Sequence, residues 1–263
     1  MNYSFHNHTT RCHHAKGTPE EYIQRAIENG IKYMGFSDHA PYICSNGQEA
    51  SYRVPVAEAA DYFTELQTLR VKYADQIDLK IGFEMEYYPD YFEKMLQQMI
   101  DLGAEYLILG QHFLTEEYPD NHPCSKETTD PSRLHAYVDR VTDAMKSGAF
   151  SYVAHPDILR FAGDPATYCK EMTRLCEVSS ACEVPIELNF LGIRESRWYP
   201  RTDFWSIAAQ TKAPVTFGFD AHDVLNAYDS NSLEKALQMV EKFGLNYIGM
   251  PNLINPKHAR IYK

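Results

Sequence analysis

Asn2-Tyr3-Ser4-Phe5-His6-Asn7-His8 is a short run of strand character that ends in two imidazoles. In an extended chain residues i and i+2 project to the same side, so His6 and His8 point together. Just beyond, Thr18-Pro19-Glu20-Glu21 carries the marks of a helix start: an N-cap, a proline at the first helical position and a capping-box glutamate. This order of apolar run, polar turn and helical segment recurs along the chain. Further strand candidates fall at 33–36, 79–83, 106–109, 152–154, 185–189 and 215–219, with another at 246–249. Asp130-Pro131 and Asp164-Pro165 begin two more helices by the same logic as Thr18-Pro19. Seven or eight βα units predict an α/β fold whose parallel strands close into a TIM-like (β/α) barrel, with residues 1–263 as one domain. A doubly wound open sheet is the rival architecture, but no Gly-rich nucleotide loop follows the first strand.

A formal net charge of −11 argues against broad binding to nucleic acid or to an anionic membrane face. No apolar stretch approaches the ~18 residues of a membrane span, and the first residues lack the pattern of a signal peptide. The six cysteines form no C-x-x-C pair and read as reduced thiols. A cytoplasmic address is expected. Acidic charge would also repel a phosphorylated substrate unless positive charge were supplied locally, as metal ions would supply it.

The histidines and carboxylates fall at telling positions. His6 and His8 end the first strand, His39 follows the second, and Glu84 ends the third. His112 follows the fourth, His155 the fifth, and Asp220 with His222 the seventh. In βα barrels, loops at the C-terminal ends of the strands build the active site, so these residues should converge on one mouth. Paired imidazoles, or Asp220 with His222, can grip one divalent cation. A lone H-x-H or Asp38-His39 would be an ordinary polar strand end, but the pattern repeats at strand after strand.

The motifs His6-x-His8 with Cys12-His13-His14, Phe36-Ser37-Asp38-His39, Gly82-Phe83-Glu84, Gly110-Gln111-His112, Ala154-His155-Pro156-Asp157 and Asp220-Ala221-His222 occur in one order over most of the chain. In this the chain resembles the polymerase and histidinol phosphatase (PHP) superfamily, and within it the stand-alone histidinol-phosphate phosphatases. The resemblance implies a distorted seven-stranded barrel with up to three metals at its mouth. It places a first metal on His6, His8, Glu84 and Asp220. A second would share Glu84 and add His112 and His155, and a third would use His14, His39 and His222. His13 reads as a neighbour rather than a ligand. The implied activity is hydrolysis of L-histidinol phosphate, in histidine biosynthesis, by a hydroxide that bridges the metals.

The residue chemistry agrees with that activity. A bridging Glu84 can hold two cations ~3.5–4 Å apart, the spacing of two-metal phosphoryl chemistry. Mixed imidazole and carboxylate donors suit zinc, iron or manganese. Glu84 and Asp220 serve catalysis through the metals, and Asp157 is a candidate acid for the leaving alkoxide. Arginine matches phosphate geometry, and Arg160, Arg197 and Arg194 follow the fifth and sixth strands. The expected partner is a small phosphate monoester. An acidic rim of Glu116, Glu117, Asp120 and Asp157 would complement a cationic substrate, although a solvated acidic loop reads the same way. Alternatives are a nuclease or nucleotide phosphatase of this superfamily, a tyrosine-phosphate phosphatase, or a non-catalytic PHP scaffold. Oligomeric state is not legible.

Overall fold

The computed structural model describes residues 1–118 and 121–259. Eight strands follow one another: β1 (Tyr3–Ser4), β2 (Tyr33–His39), β3 (Asp78–Met85), β4 (Tyr106–Leu109), β5 (Tyr152–Val153), β6 (Ile186–Asn189), β7 (Pro214–Gly218) and β8 (Asn246–Tyr247). Sheet order is chain order, and every neighbouring pair is parallel. Between the strands lie α1 (Pro19–Glu28), α2 (Ala59–Lys72), α3 (Phe92–Leu102), α4 (Pro131–Ser147) and α5 (Pro165–Cys182). The short α6 (Phe190–Arg194), then α7 (Thr202–Gln210) and α8 (Ser230–Phe243), complete the set. The fold is a distorted TIM-like (β/α) barrel.

The helices start where local chemistry dictates. Thr18 and Glu21 form the reciprocal capping box at α1, and the Asp130 and Asp164 carboxylates accept from Ser132 N and Thr167 N at α4 and α5. Gly103 and Gly148 end α3 and α4 in the left-handed region, at φ 92° and 70°. The strands have two buried faces. One packs on the helices through residues such as Leu107 and Leu109, within the large core cluster. The other fills the barrel with Tyr3, Phe5, Tyr106, Ile108, Tyr152 and Ala154. Tyr106 spans that interior and donates to Phe5 O at 2.8 Å.

The expected strand count of seven is corrected to eight, for a reason that lies in how the ring closes. At the mouth Asn7 bridges Ala221, with His8 N donating to Ala221 O at 3.0 Å and Ala221 N to His6 O at 3.2 Å. There the extension of β1 meets the extension of β7, and seven strands surround the site. Lower down, the two-residue β8 pairs with β7 and puts Tyr247 Oη 3.3 Å from Tyr3 Oη. Among the described residues no helix is long and apolar enough to cross a membrane.

Candidate metal centre

All nine residues expected as ligands meet at the mouth. Donor atoms of four sets lie within 4.8 Å of one another: His6, His8 and Glu84; His6, His155 and Asp220; His39, Glu84 and His112; His14, His39 and His222. Glu84 is the hub. Its Oε2 stands 3.2–3.5 Å from His39, His6 and His8, while its Oε1 stands 2.8 Å from His155 and 3.4 Å from His112. One oxygen thus faces each of two imidazole groups, the geometry of a bridging carboxylate. Asp220 Oδ1 closes the opposite side, 3.2 Å from His222, 3.5 Å from His8 and 3.6 Å from His6. His13 belongs to none of these sets, whereas His14 does. A further set joins Cys12 to His8 and His222.

Room for the hub comes from Gly110, where a Cβ would overlap the Glu84 carboxylate. Backbone strain also collects here. His155 and Asp220 take left-handed conformations at φ 31° and 46°, each at a cost of roughly 1–3 kcal/mol that the surrounding fold must support.

A second layer, which motif reading missed, aims the imidazoles. Glu187 Oε2 accepts from His6 Nδ1 at 2.8 Å, Glu86 Oε1 from His112 Nδ1 at 2.9 Å, and Asp38 Oδ1 from His8 Nδ1 at 3.4 Å. The backbone does the same for His14 and His222, through Cys12 O at 2.7 Å and Asp220 O at 3.3 Å. Each bond holds Nδ1 and leaves Nε2 free to point inward, the arrangement that fixes tautomer and ring angle in metal-binding histidines. Glu86 was legible in principle, since it sits two residues after Glu84 on the same strand face. Glu187 offered a fainter signal as the one charged residue in Pro185-Ile186-Glu187-Leu188-Asn189. Glu86 and Glu117 are in turn held by a buried Arg53, which donates to them at 2.6 and 2.9 Å and to Ala40 O at 3.0 Å.

The residues fit cations. His6 Nε2, His8 Nε2, His39 Nδ1, His155 Nδ1 and His222 Nε2 are buried and make no hydrogen bond. Leaving so many buried polar atoms without partners is costly unless something coordinates them. The charges are equally crowded. Burial drives His8 down, but the neighbouring carboxylates of Asp220, Asp38 and Glu84 prevail and leave it up at about 9. Burial also drives His222 down, and with the His8 charge beside it the ring falls to about 4. Burial would raise the carboxyl of Glu84, yet His112, His6 and His39 hold it well below the usual range. Cations would take the place of protons in this cluster.

The cluster floors a cavity of about 790 Å³ whose walls include Tyr52, Phe113, Ile158, Leu191, Trp198 and Tyr199. Of the three candidate arginines, Arg197 lines it. Arg160 stands outside, stacked 5.7 Å over the Trp198 ring and paired with Glu127 at 2.9 Å. Arg194 is turned to the backbone: it donates to Phe219 O at 2.9 Å and Asp220 O at 2.6 Å, and so braces the loop that carries Asp220. In this arrangement its side chain is engaged with backbone carbonyls rather than presented to the cavity. Asp157, too, is turned away from the cavity. Burial pushes its carboxyl up to about 7, but Oδ2 accepts from Arg201 N at 2.6 Å and the residue does not line the cavity. The acidic rim is likewise spent. Glu116 binds Tyr42 and Ser45, Glu117 binds Tyr52 and Arg53, and Asp120 lies outside the described residues.

Fold and site together define a (β/α) barrel whose mouth gathers His, Glu and Asp clusters suited to divalent metal ions. The PHP domain model matches residues 4–190, and the chain belongs to that family. Within it, the chain is 28% identical over 223 residues to a probable histidinol-phosphatase of Deinococcus radiodurans, covering 82% of this chain and 85% of that protein. It is 24% identical over 259 residues to the histidinol-phosphatase of Bacillus subtilis, covering 86% of this chain and 96% of the relative. Among solved structures, the histidinol phosphate phosphatase of Lactococcus lactis, complexed with zinc, L-histidinol and phosphate, superposes with a TM-score of 0.69. That match has 18% identity over 98% of both chains.

Proposed function

We propose that this protein is an L-histidinol-phosphate phosphatase, a metal-dependent phosphoric monoester hydrolase of cytoplasmic histidine biosynthesis built as a single barrel domain. The observation that carries the reading is Glu84, with one oxygen toward each of two imidazole groups at the floor of an open cavity. The names of the relatives matched over more than four-fifths of the chain support the substrate.

Two to three divalent ions, zinc, iron or manganese by donor type, would be held by His6, His8, His14, His39, Glu84, His112, His155, Asp220 and His222. When bound, they supply an activated water and positive charge for the phosphoryl group. The chain does the rest. Glu187, Glu86 and Asp38 keep the rings aimed, so that the ligand set is formed before substrate arrives. These same carboxylates add negative charge behind the ligands and offset part of the positive charge that the ions would bring. Arg197 therefore matters more: a guanidinium at the cavity wall, with Nη1 donating to Tyr199 Oη at 3.1 Å, is the group to take phosphate oxygens. The apolar walls leave space for the alcohol part of the ester and limit the water around it.

A side-by-side assay with histidinol phosphate, phosphotyrosine, mononucleotides and single-stranded DNA tests the assignment. Histidinol phosphate should show the highest kcat/KM by at least about tenfold, a gap of ~1.4 kcal/mol in transition-state binding. Arg197→Ala should lower it by roughly ten- to a hundredfold with metal content unchanged. A preference for any other substrate in this panel would overturn the assignment.

A further inference from the structure

Among the described residues three carboxylates line the cavity: Glu84, Asp220 and Glu195. The first two belong to the metal cluster. Glu195 does not, and with the expected acidic rim committed to Tyr42, Ser45, Tyr52 and Arg53, it is the lining acid left without a metal-site role.

Its present partner is the phosphate arginine itself. Glu195 Oε2 accepts from Arg197 Nε at 2.9 Å and lies 2.7 Å from Nη2, while Nη1 is taken by Tyr199. Each guanidinium nitrogen thus makes one contact, and Glu195 occupies the Nε–Nη2 edge, one of the two forks that can take a phosphate. Phosphate can take that edge only by displacing the carboxylate. A negative group that competes with substrate for its own anchor opposes binding, unless the substrate carries a positive charge that takes the arginine's place. Glu195 can move: its side chain is half exposed and it lies just past the end of the five-residue α6. Glu195 and Arg197 stand beside Leu191 and Trp198 on the cavity wall, where a short hydrocarbon linker could lie.

We propose that Glu195 is the specificity residue for a primary ammonium group on the substrate, through an exchange of ion pairs. Before binding, Glu195 and Arg197 neutralise each other. On binding, Arg197 turns to the phosphate and Glu195 to the ammonium, so the cavity selects phosphate monoesters of amino alcohols. This deepens and rests on the histidinol-phosphate reading, because L-histidinol carries such an ammonium.

The test compares wild type with Glu195→Gln on L-histidinol phosphate, its des-amino analogue and p-nitrophenyl phosphate, with inorganic phosphate as inhibitor. Removing the competing charge should tighten phosphate inhibition and raise kcat/KM on both substrates lacking the ammonium. Each change should be roughly two- to fivefold, the scale of a partly exposed ion pair. On histidinol phosphate KM should instead rise, and kcat/KM fall by a similar factor, so the two substrate classes move in opposite directions. Glu195→Asp should restore part of the ammonium preference. Melting temperature and metal content should match wild type, as suits a half-exposed side chain. A rise on all three substrates would mean that Glu195 only neutralises Arg197, and no change on any would mean a bystander; both overturn the proposal. If wild type hydrolyses p-nitrophenyl phosphate but not histidinol phosphate, the substrate assignment fails by itself. Glu195 is then judged by the same crossover on 2-aminoethyl phosphate against ethyl phosphate.

Discussion

Replacing Glu187 by Gln changes one atom's chemistry at a buried position and nothing in its size. The native carboxylate accepts twice: Oε2 from His6 Nδ1 at 2.8 Å and Oε1 from Asn189 Nδ2 at 2.6 Å. A glutamine has one acceptor, so its amide nitrogen must face either His6 Nδ1–H or the Asn189 amide donors. Asn189 cannot flip to relieve this, because its Oδ1 accepts from Gly192 N and its Nδ2 donates to Asp220 Oδ2, both at 3.0 Å. Nor can the side chain shift freely, since it fills the space left by Gly218, where a Cβ would overlap its carboxylate. One buried donor is left without an acceptor, at about 1–3 kcal/mol of stability. For a chain of 263 residues that lowers Tm by about 2–5 °C at the usual unfolding entropy. His6 also loses the negative charge behind it, so metal affinity at that position should fall by about ten- to a hundredfold. Dialysis against graded chelator buffers, followed by elemental analysis and assay of the same samples, measures the shift directly. If Glu187→Gln kept its metal and activity at the same free-metal concentration as wild type, Glu187 would not position His6, and the two-layer account of the site would fail.

Arg53→Met leaves Glu86 and Glu117 buried without their counter-charge, at about 3–5 kcal/mol; thermal melting should show a Tm lower by about 5–10 °C, and an unchanged Tm would refute the role of that network. Gly110→Ala pushes the Glu84 carboxylate aside, and a displacement of ~1 Å should cost about a hundredfold in kcat, read by steady-state assay; near-normal turnover would show that the close fit of Gly110 to Glu84 is unimportant. Chelation should abolish turnover and divalent metal restore it, with two to three ions per chain by elemental analysis; full activity with less than one equivalent would sink the mechanism.

Much of this was legible without coordinates because its causes are local. A capping box needs four residues, and alternation along a strand puts His6 beside His8 and Glu84 beside Glu86 whatever the rest of the chain does. Parallel strands joined by helices must all end on the same side, so ligands at strand ends were bound to converge. Other features depend on residues that are close only after folding. Glu187 meets His6 across 181 positions, and nothing near either residue announces the other. The three arginines read alike as flexible cations, yet one braces backbone carbonyls, one stacks outside on Trp198 and one enters the cavity. Asp157 stands next to the metal motif in sequence but is turned to Arg201 N, because side-chain direction after a strand end follows backbone angles that residue type does not fix. The strand count was likewise a tertiary matter: the Asn7–Ala221 bridge closes the mouth on seven strands, and β8, two residues long, fills the ring only below it. Sequence by itself determined which groups would gather at the mouth, through periodicity and connection. Packing across the barrel decided which of them face the cavity and which hold others in place, because those contacts join segments that no local rule relates.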